Sequence, residues 1–275
     1  MHPSKACFCL ALHLGALASI ASAQPSVIES FNYTSGATLN GQLGGGSQGF
    51  AGAWSGDSTF TIGNGSLGPL PGAISDTGNR STTSAFGANR DIERFLSNPL
   101  GTPGTSSYFS FSMQPEGTLN QGFANGWFGF FLRGGAQVGV TKDSFSNFYA
   151  LELAGTTAYT NTQAVVGQPA LFVLRIDWTS GTDTLRLYVN PPVGQPEPLV
   201  ASAMLAFGDT VGANRVLLSG PGAYSFDALR GGSTFQDVMP APVPEPSGMV
   251  LLFIGLTSLG VRHTWLRRRA SRNRA

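Results

Sequence analysis

The sequence predicts an all-β protein, a two-sheet antiparallel sandwich bracketed by an N-terminal signal helix and a C-terminal transmembrane helix. Three observations carry this. Short alternating apolar runs are punctuated by Gly, Pro and Asn, the residues that turn one strand into the next. No stretch between the two ends keeps a helical apolar period. The two long apolar segments lie near the termini, each beside basic residues.

At the N-terminus Lys5 supplies a positive charge, residues 6–20 an apolar run and Ala21-Ser22-Ala23 a small-residue cleavage site. Residues 1–23 are expected to be a signal peptide, cut between Ala23 and Gln24. Both cysteines, Cys7 and Cys9, fall inside it, so the exported part carries no thiol, disulfide or cysteine metal site. Neither cysteine ends the apolar run, which argues against a lipoprotein.

Residues 24–238 are long enough for one self-supporting core. In the run 107–113, Tyr108 and Ser110 share one face and Phe109, Phe111 and Met113 the other. The run 126–132 reads as a strand buried on both faces, with glycine where neighbouring backbones come close. A further strand is expected over 145–153. The clearest hairpin joins 171–178 to 184–191. Leu185, Leu187 and Val189 alternate there with Arg186, Tyr188 and Asn190, and Arg175 and Asp177 are placed for cross-strand ion pairing with Arg186. The last strand, 223–230, should point Tyr224, Phe226 and Ala228 inward.

Charge and histidine content remove whole classes of function. All three histidines, His2, His13 and His263, lie outside 24–242, which excludes histidine-based triads, zinc sites and acid-base catalysis from the exported domain. That domain holds nine basic and fourteen acidic residues, a net charge of minus five hidden behind the whole-chain value of plus one. A nucleic-acid partner is not expected, because no basic face is available for phosphates.

The C-terminal region reads as an address. Val243-Pro244-Glu245-Pro246 cannot continue a helix or a sheet ladder and should be extended within the linker 239–247. An apolar segment at 248–266 follows, its 14-residue core at 248–261 spanning about 21 Å as a helix, short of the hydrocarbon thickness until Trp265 and a snorkelling Arg262 are added. Arg262, Arg267, Arg268 and Arg269, with the basic tail 267–275, would stay cytoplasmic and leave the main domain outside. This order of motif, helix and arginine cluster resembles the PEP-CTERM sorting signal of exported bacterial proteins. The resemblance implies an exosortase-like transpeptidase and the membrane as partners, and a final place at the cell surface or in the extracellular polysaccharide matrix.

A second resemblance covers 27–238. Phe31-Asn32-Tyr33, Gly36, Leu39, the glycine-rich stretch 44–49, Phe50 and Trp54-Ser55, followed by Tyr188-Val189-Asn190-Pro191 and by the run 226–231, are similar to LamG-like, concanavalin A-like jelly rolls. It implies a jelly-roll topology and makes Trp54 a structural residue. Such folds include lectins and glucanases, so a carbohydrate site has to be weighed.

A retaining glycosidase needs two carboxyl groups about 5 to 5.5 Å apart. Asp91-Ile92-Glu93 is the acidic pair at strand spacing, but Arg90 and Arg94 bracket it and point to a salt-bridged strand end. No catalytic residue is assigned. Sugar binding needs only an exposed ring and a few polar groups. Trp54, Trp127, Trp178 and Tyr159 are the candidate rings, with Trp127 and Trp178 expected in the core. Asn147, Tyr159 and Asn161 fall in loop-like sequence. Asp143, Asp183 and Asp209 read as turn residues rather than calcium ligands, so no metal or other cofactor is assigned. The sequons at Asn32, Asn64 and Asn79 carry no weight in a bacterium, which the tail implies. The functional expectation is a non-enzymatic, surface-sorted structural or adhesive protein, then a lectin-like carbohydrate-binding module, then a glycoside hydrolase.

Overall fold

The structure is a computed structural model, and it describes residues 26–67, 78–83, 88–117, 119, 126–135, 137–153, 155–208 and 212–239. The signal segment with Ala21, Ala23 and Gln24, the motif Val243 to Pro246, the segment 248–266, the arginines Arg262, Arg267, Arg268 and Arg269, and Asp209 lie outside the described residues. Among those described, no helix is long and apolar enough to cross a membrane.

Among the described residues, fifteen strands form two antiparallel sheets. The first sheet contains β1 (Val27–Glu29), β3 (Thr61–Gly63), β4 (Arg80–Thr82), β6 (Ser106–Pro115), β11 (Ala170–Asp177), β12 (Asp183–Val189), β13 (Ala203–Phe207) and β15 (Tyr224–Gly232). Its order is β13-β12-β11-β6-β15-β4-β3, with β1 also on β15. The second contains β2 (Phe50–Gly56), β5 (Asp91–Leu96), β7 (Phe128–Gly134), β8 (Gln137–Lys142), β9 (Phe148–Leu153), β10 (Thr156–Gln163) and β14 (Ala213–Ser219), in the order β10-β9-β8-β7-β14-β5-β2. The chain changes sheet between β1 and β2, β2 and β3, β4 and β5, β5 and β6, β6 and β7, β10 and β11, β13 and β14, and β14 and β15, so both sheets are built from segments distant in sequence.

Strand alternation sends every second side chain into the space between the sheets. Phe109, Phe111 and Met113 point into that core from β6 while Tyr108 faces out, as their spacing predicts. Phe111 is the centre of an aromatic cluster, 4.3 Å from Phe130 of the opposite sheet, 5.5 Å from Phe172 and 5.2 Å from Phe226 between ring centroids. Each such pair adds about 1 kcal/mol beyond its buried area. The hairpin β11–β12 forms with Arg175 directly opposite Arg186. Asp177 answers both, pairing with Arg175 at 2.8 Å and with Arg186.

Three expectations about strands change. The strand expected from Gly126 begins at Phe128, because Gly126 has φ +67° and turns the chain before it can pair. The strand expected from Phe145 begins at Phe148, after a turn in which Asp143 Oδ2 accepts the Phe145 N–H at 2.8 Å. Ala228 does not point inward. It sits at φ +56° in a bulge of β15, and the extra residue hands its core position to the fully buried Leu229.

The outer face of the first sheet is covered by α1 (Phe235–Val238), which Thr234 caps through a reciprocal bond with Asp237. Phe235 and Val238 pack there on Tyr108, Leu171, Val173 and Tyr188 as a second, smaller cluster.

Candidate functional site

The site is built on the outer face of the second sheet, where β7, β8, β9 and β10 run side by side. Phe131 faces outward from β7, and its ring lies across two glycines. A Cβ at Gly139 would come within 2.6 Å of that ring and 2.0 Å of the Phe130 carbonyl, and one at Gly129 within 2.7 Å of the ring. Only glycine at these two positions lets Phe131 lie flat on the sheet. Trp127 packs on it, with ring centroids 5.7 Å apart and planes at 37°.

Trp127 is fixed from three sides. Its carbonyl accepts the Gly222 N–H at 3.0 Å. Its indole Nε1 donates to Glu152 Oε2 at 3.1 Å. Phe131 supports one face. Trp127 is half-buried, which corrects the expectation that it belongs to the core. The apolar run around it is not one strand, and the turn at Gly126 leaves the indole on the sheet surface.

Glu152 and its neighbours follow from register. On β9, Tyr149 and Leu151 pack into the core, so Ala150 and Glu152 face outward. Ala150 is paired with Tyr159 and Glu152 with Thr157, which brings Tyr159 onto the same face at 51% exposure. Tyr159 and Asn161 thus belong to β10 rather than to a loop. The turn between β8 and β9 adds Phe145, 88% exposed at its tip, and the nearly buried Asp143 that shapes it. Trp127, Asp143, Ser144, Phe145, Glu152 and Thr157 line a cavity of about 220 Å³.

Burial pushes the Glu152 carboxyl above its ordinary pKa; the Trp127 bond works against this and the neighbouring Asp143 charge adds to it. The Tyr159 hydroxyl is also raised, by burial and then by Asp143. Asp143 therefore acts on both groups, and the carboxylates and rings form one unit. It offers a fixed aromatic face, two exposed rings and carboxylate acceptors with lone pairs to spare.

The other sequence candidates are structural. Trp54 is buried at 1% exposure and Trp178 at 3%. Trp178 lies in the core as expected and gives its Nε1 to Ser107 Oγ at 2.9 Å. Asp91 and Glu93 face outward on β5, and bonds to them reach across from neighbouring strands. Asp91 accepts from Ser219 Oγ at 2.5 Å, and Glu93 from Arg215 at 2.7 Å with Arg133 at 3.7 Å. Arg94 turns inward instead, because it shares the parity of the core residues Ile92 and Leu96. It meets Glu29 at 2.6 Å, both side chains essentially without exposure. Trp54 Nε1 and the Tyr33 hydroxyl also donate to Glu29, each at 3.0 Å. This network ties β1 of one sheet to β2 and β5 of the other. Asn147 gives its carbonyl to the Ala164 N–H at 2.7 Å, and Asp183, at the start of β12, holds the Thr179 N–H at 2.7 Å. Among the described residues no group of His, Cys, Asp or Glu is placed to hold a metal ion.

A larger depression of about 550 Å³ lies on the first sheet beside Arg175, Arg186, Tyr188, Glu197 and Met204. Its polar groups are spent on one another. Glu197 accepts from Tyr108 at 2.9 Å, Tyr188 at 2.5 Å and Arg175 at 2.9 Å, and its rim is the aliphatic Leu199, Val200 and Met204. It clamps the 190–202 loop onto the sheet, and it offers no ring to a sugar.

The fold and this face define a β-sandwich domain with a ring-lined acidic surface cleft. A scan against protein-family models finds no match, and a search of curated proteins finds none either. Among solved structures, the chain is similar to an endo-1,3-beta-glucanase from Streptomyces sioyaensis at a TM-score of 0.48 and 12% identity, covering 79% of this chain and 98% of that one. It is similar to the T. cruzi calreticulin globular domain at 0.45 and 12%, covering 78% and 90%, and to peanut lectin at 0.39 and 13%, covering 74% and 96%. Likeness this distant carries no argument about ligand or activity.

Proposed function

We propose that this protein is an exported, non-catalytic domain that binds polysaccharide through the Trp127 face and serves as an adhesive component at the cell surface. The observation that carries the reading is the Trp127–Glu152 pair: an indole backed by Phe131 and held by a carboxylate, with Phe145 and Tyr159 exposed beside it. Holding a ring in place before the ligand arrives lowers the ordering cost of binding. Two further exposed rings let successive sugars of a chain engage together, which multiplies weak contacts. The test is a glycan microarray probed with the intact chain and with Trp127→Ala. Binding to at least one polysaccharide, lost in the variant, supports the reading, and an unchanged pattern in the variant refutes it.

Export and sorting belong to the same proposal and rest on the sequence of the two ends. Processing near Pro244 to Pro246 would release the domain from the membrane. The intact mass of protein extracted from the cell surface tests this, since retention of 262–275 would make the segment a permanent anchor.

A second reading is favoured by one observation, the raised pKa of Glu152 beside a second carboxylate, which is how a general acid is prepared. In that reading the domain cleaves the glycan it binds. Release of reducing sugar that disappears in Glu152→Gln would establish it in place of the non-catalytic one.

A further inference from the structure

The cleft is acidic in a way that selects among sugars. Asp143 and Glu152 line it, and none of its other lining residues, Trp127, Ser144, Phe145, Gly155 and Thr157, is charged. The nearby cations do not open into it, although the charge of buried Lys142 acts on Asp143. Lys142 has no exposed surface and shares the strand parity of Val138 and Val140, which pack in the core. Arg133 and Arg215 face out of the same sheet but are engaged by Glu93 on β5. A ligand entering over Trp127 therefore meets two carboxylates with no exposed base among the described residues that line the cleft.

Resting on the glycan-binding reading above, we propose that the preferred ligand is a polysaccharide bearing free amino groups, its amino-sugar ring stacked on Trp127 and its ammonium set between Glu152 and Asp143. Three physical consequences of the geometry support this. Glu152 spends one acceptor site on the indole N–H, and an ionised carboxylate has about four, so it can take an ammonium without releasing Trp127. An ammonium also relieves the like-charge cost between the two acids, which a neutral sugar cannot do. Ammonium bonds to a carboxylate are about twice as strong as neutral ones. A uronic-acid polymer would meet repulsion at the same place.

The experiment is calorimetric titration of the intact chain with short β-linked oligomers of glucosamine, N-acetylglucosamine, glucose and galacturonic acid, at about pH 6 and low salt, where the amine is largely charged. The glucosamine oligomer should bind about tenfold tighter than the glucose oligomer, and the galacturonic acid oligomer should be weakest. That advantage should shrink in about 0.5 M salt. It should also disappear in Glu152→Gln and Asp143→Asn, so that the glucosamine and glucose oligomers bind each variant alike. Both substitutions keep the acceptor oxygens that hold Trp127 and the Phe145 turn, so circular dichroism should show an unchanged fold. Equal or tighter binding of the glucose oligomer overturns the inference and leaves the glycan reading standing. A glucosamine preference that survives both substitutions overturns it as well, because the selectivity then lies elsewhere. Absence of binding to every oligomer removes both.

Discussion

Trp127 donates its indole N–H to Glu152 at 3.1 Å, across 25 residues of chain, and the bond holds the ring against Phe131 on a sheet surface. A hydrogen bond to a charged group contributes about 1.5–3 kcal/mol when partly buried. Glu152→Ala should therefore leave the indole free to rotate and weaken neutral-glycan affinity about tenfold. Glu152→Gln should keep most of it. Calorimetry of both variants against one neutral oligosaccharide checks this, and equal losses would show that charge rather than ring position matters.

The Glu29–Arg94 pair is a buried polar tie between the sheets. Removing one partner leaves a buried charge without compensation, so Arg94→Met should cost about 3–5 kcal/mol in urea unfolding. Removing both, with Glu29→Leu added, should recover most of that loss. A double variant as unstable as the single one would mean that Tyr33 and Trp54, which also bond Glu29, carry the tie instead.

Ala228 occupies a backbone region that L residues adopt at a cost, with φ +56°. Ala228→Gly should stabilise the fold by about 0.5–1 kcal/mol, the reverse of the usual effect of glycine in a strand. A destabilised variant would argue against the bulge.

The pH dependence of stability should differ in sign between two carboxylates. Burial pulls Glu197 upward, but its bonds from Tyr188, Arg175 and Tyr108 outweigh that and hold it below its ordinary value. Its contribution is therefore present above the ordinary carboxylate range and is lost as pH falls through the lowered folded value. Glu152 is raised from 4.5, chiefly by burial, so its contribution is greatest below that value and is lost as pH rises through the folded one. The stability gap between the wild-type protein and Glu197→Gln should grow with pH, and the gap to Glu152→Gln should shrink. Urea midpoints measured from about pH 3 to 8 check both slopes, and slopes of the same sign would contradict the assignment.

Local pattern made the sandwich legible. Alternation in 107–113 and in the hairpin 171–191 placed the inward residues of β6, β11 and β12, and Trp54, which the resemblance to jelly rolls made a structural residue, lies in the core. The site was harder to read because its parts are distant in sequence. The parity of Glu152 with Ala150 marks it as outward-facing, yet nothing local names Trp127 as its partner. Arg94 shares the parity of Ile92 and Leu96, a readable sign of burial, but its two acidic neighbours suggested an exposed ion pair. Gly126 hid the site most effectively, since in an apolar run a turning glycine and a packing glycine look alike.

The most direct test of glycan binding at Trp127 is the indole N–H resonance in an NMR titration of the intact chain with an oligosaccharide selected on the microarray. The Trp127 indole signal should move in a saturable way while those of the buried Trp54 and Trp178 stay in place. A saturable titration that leaves Trp127 unmoved, with shifts gathered instead around Arg186 and Met204, would place the site on the other sheet and contradict the proposal.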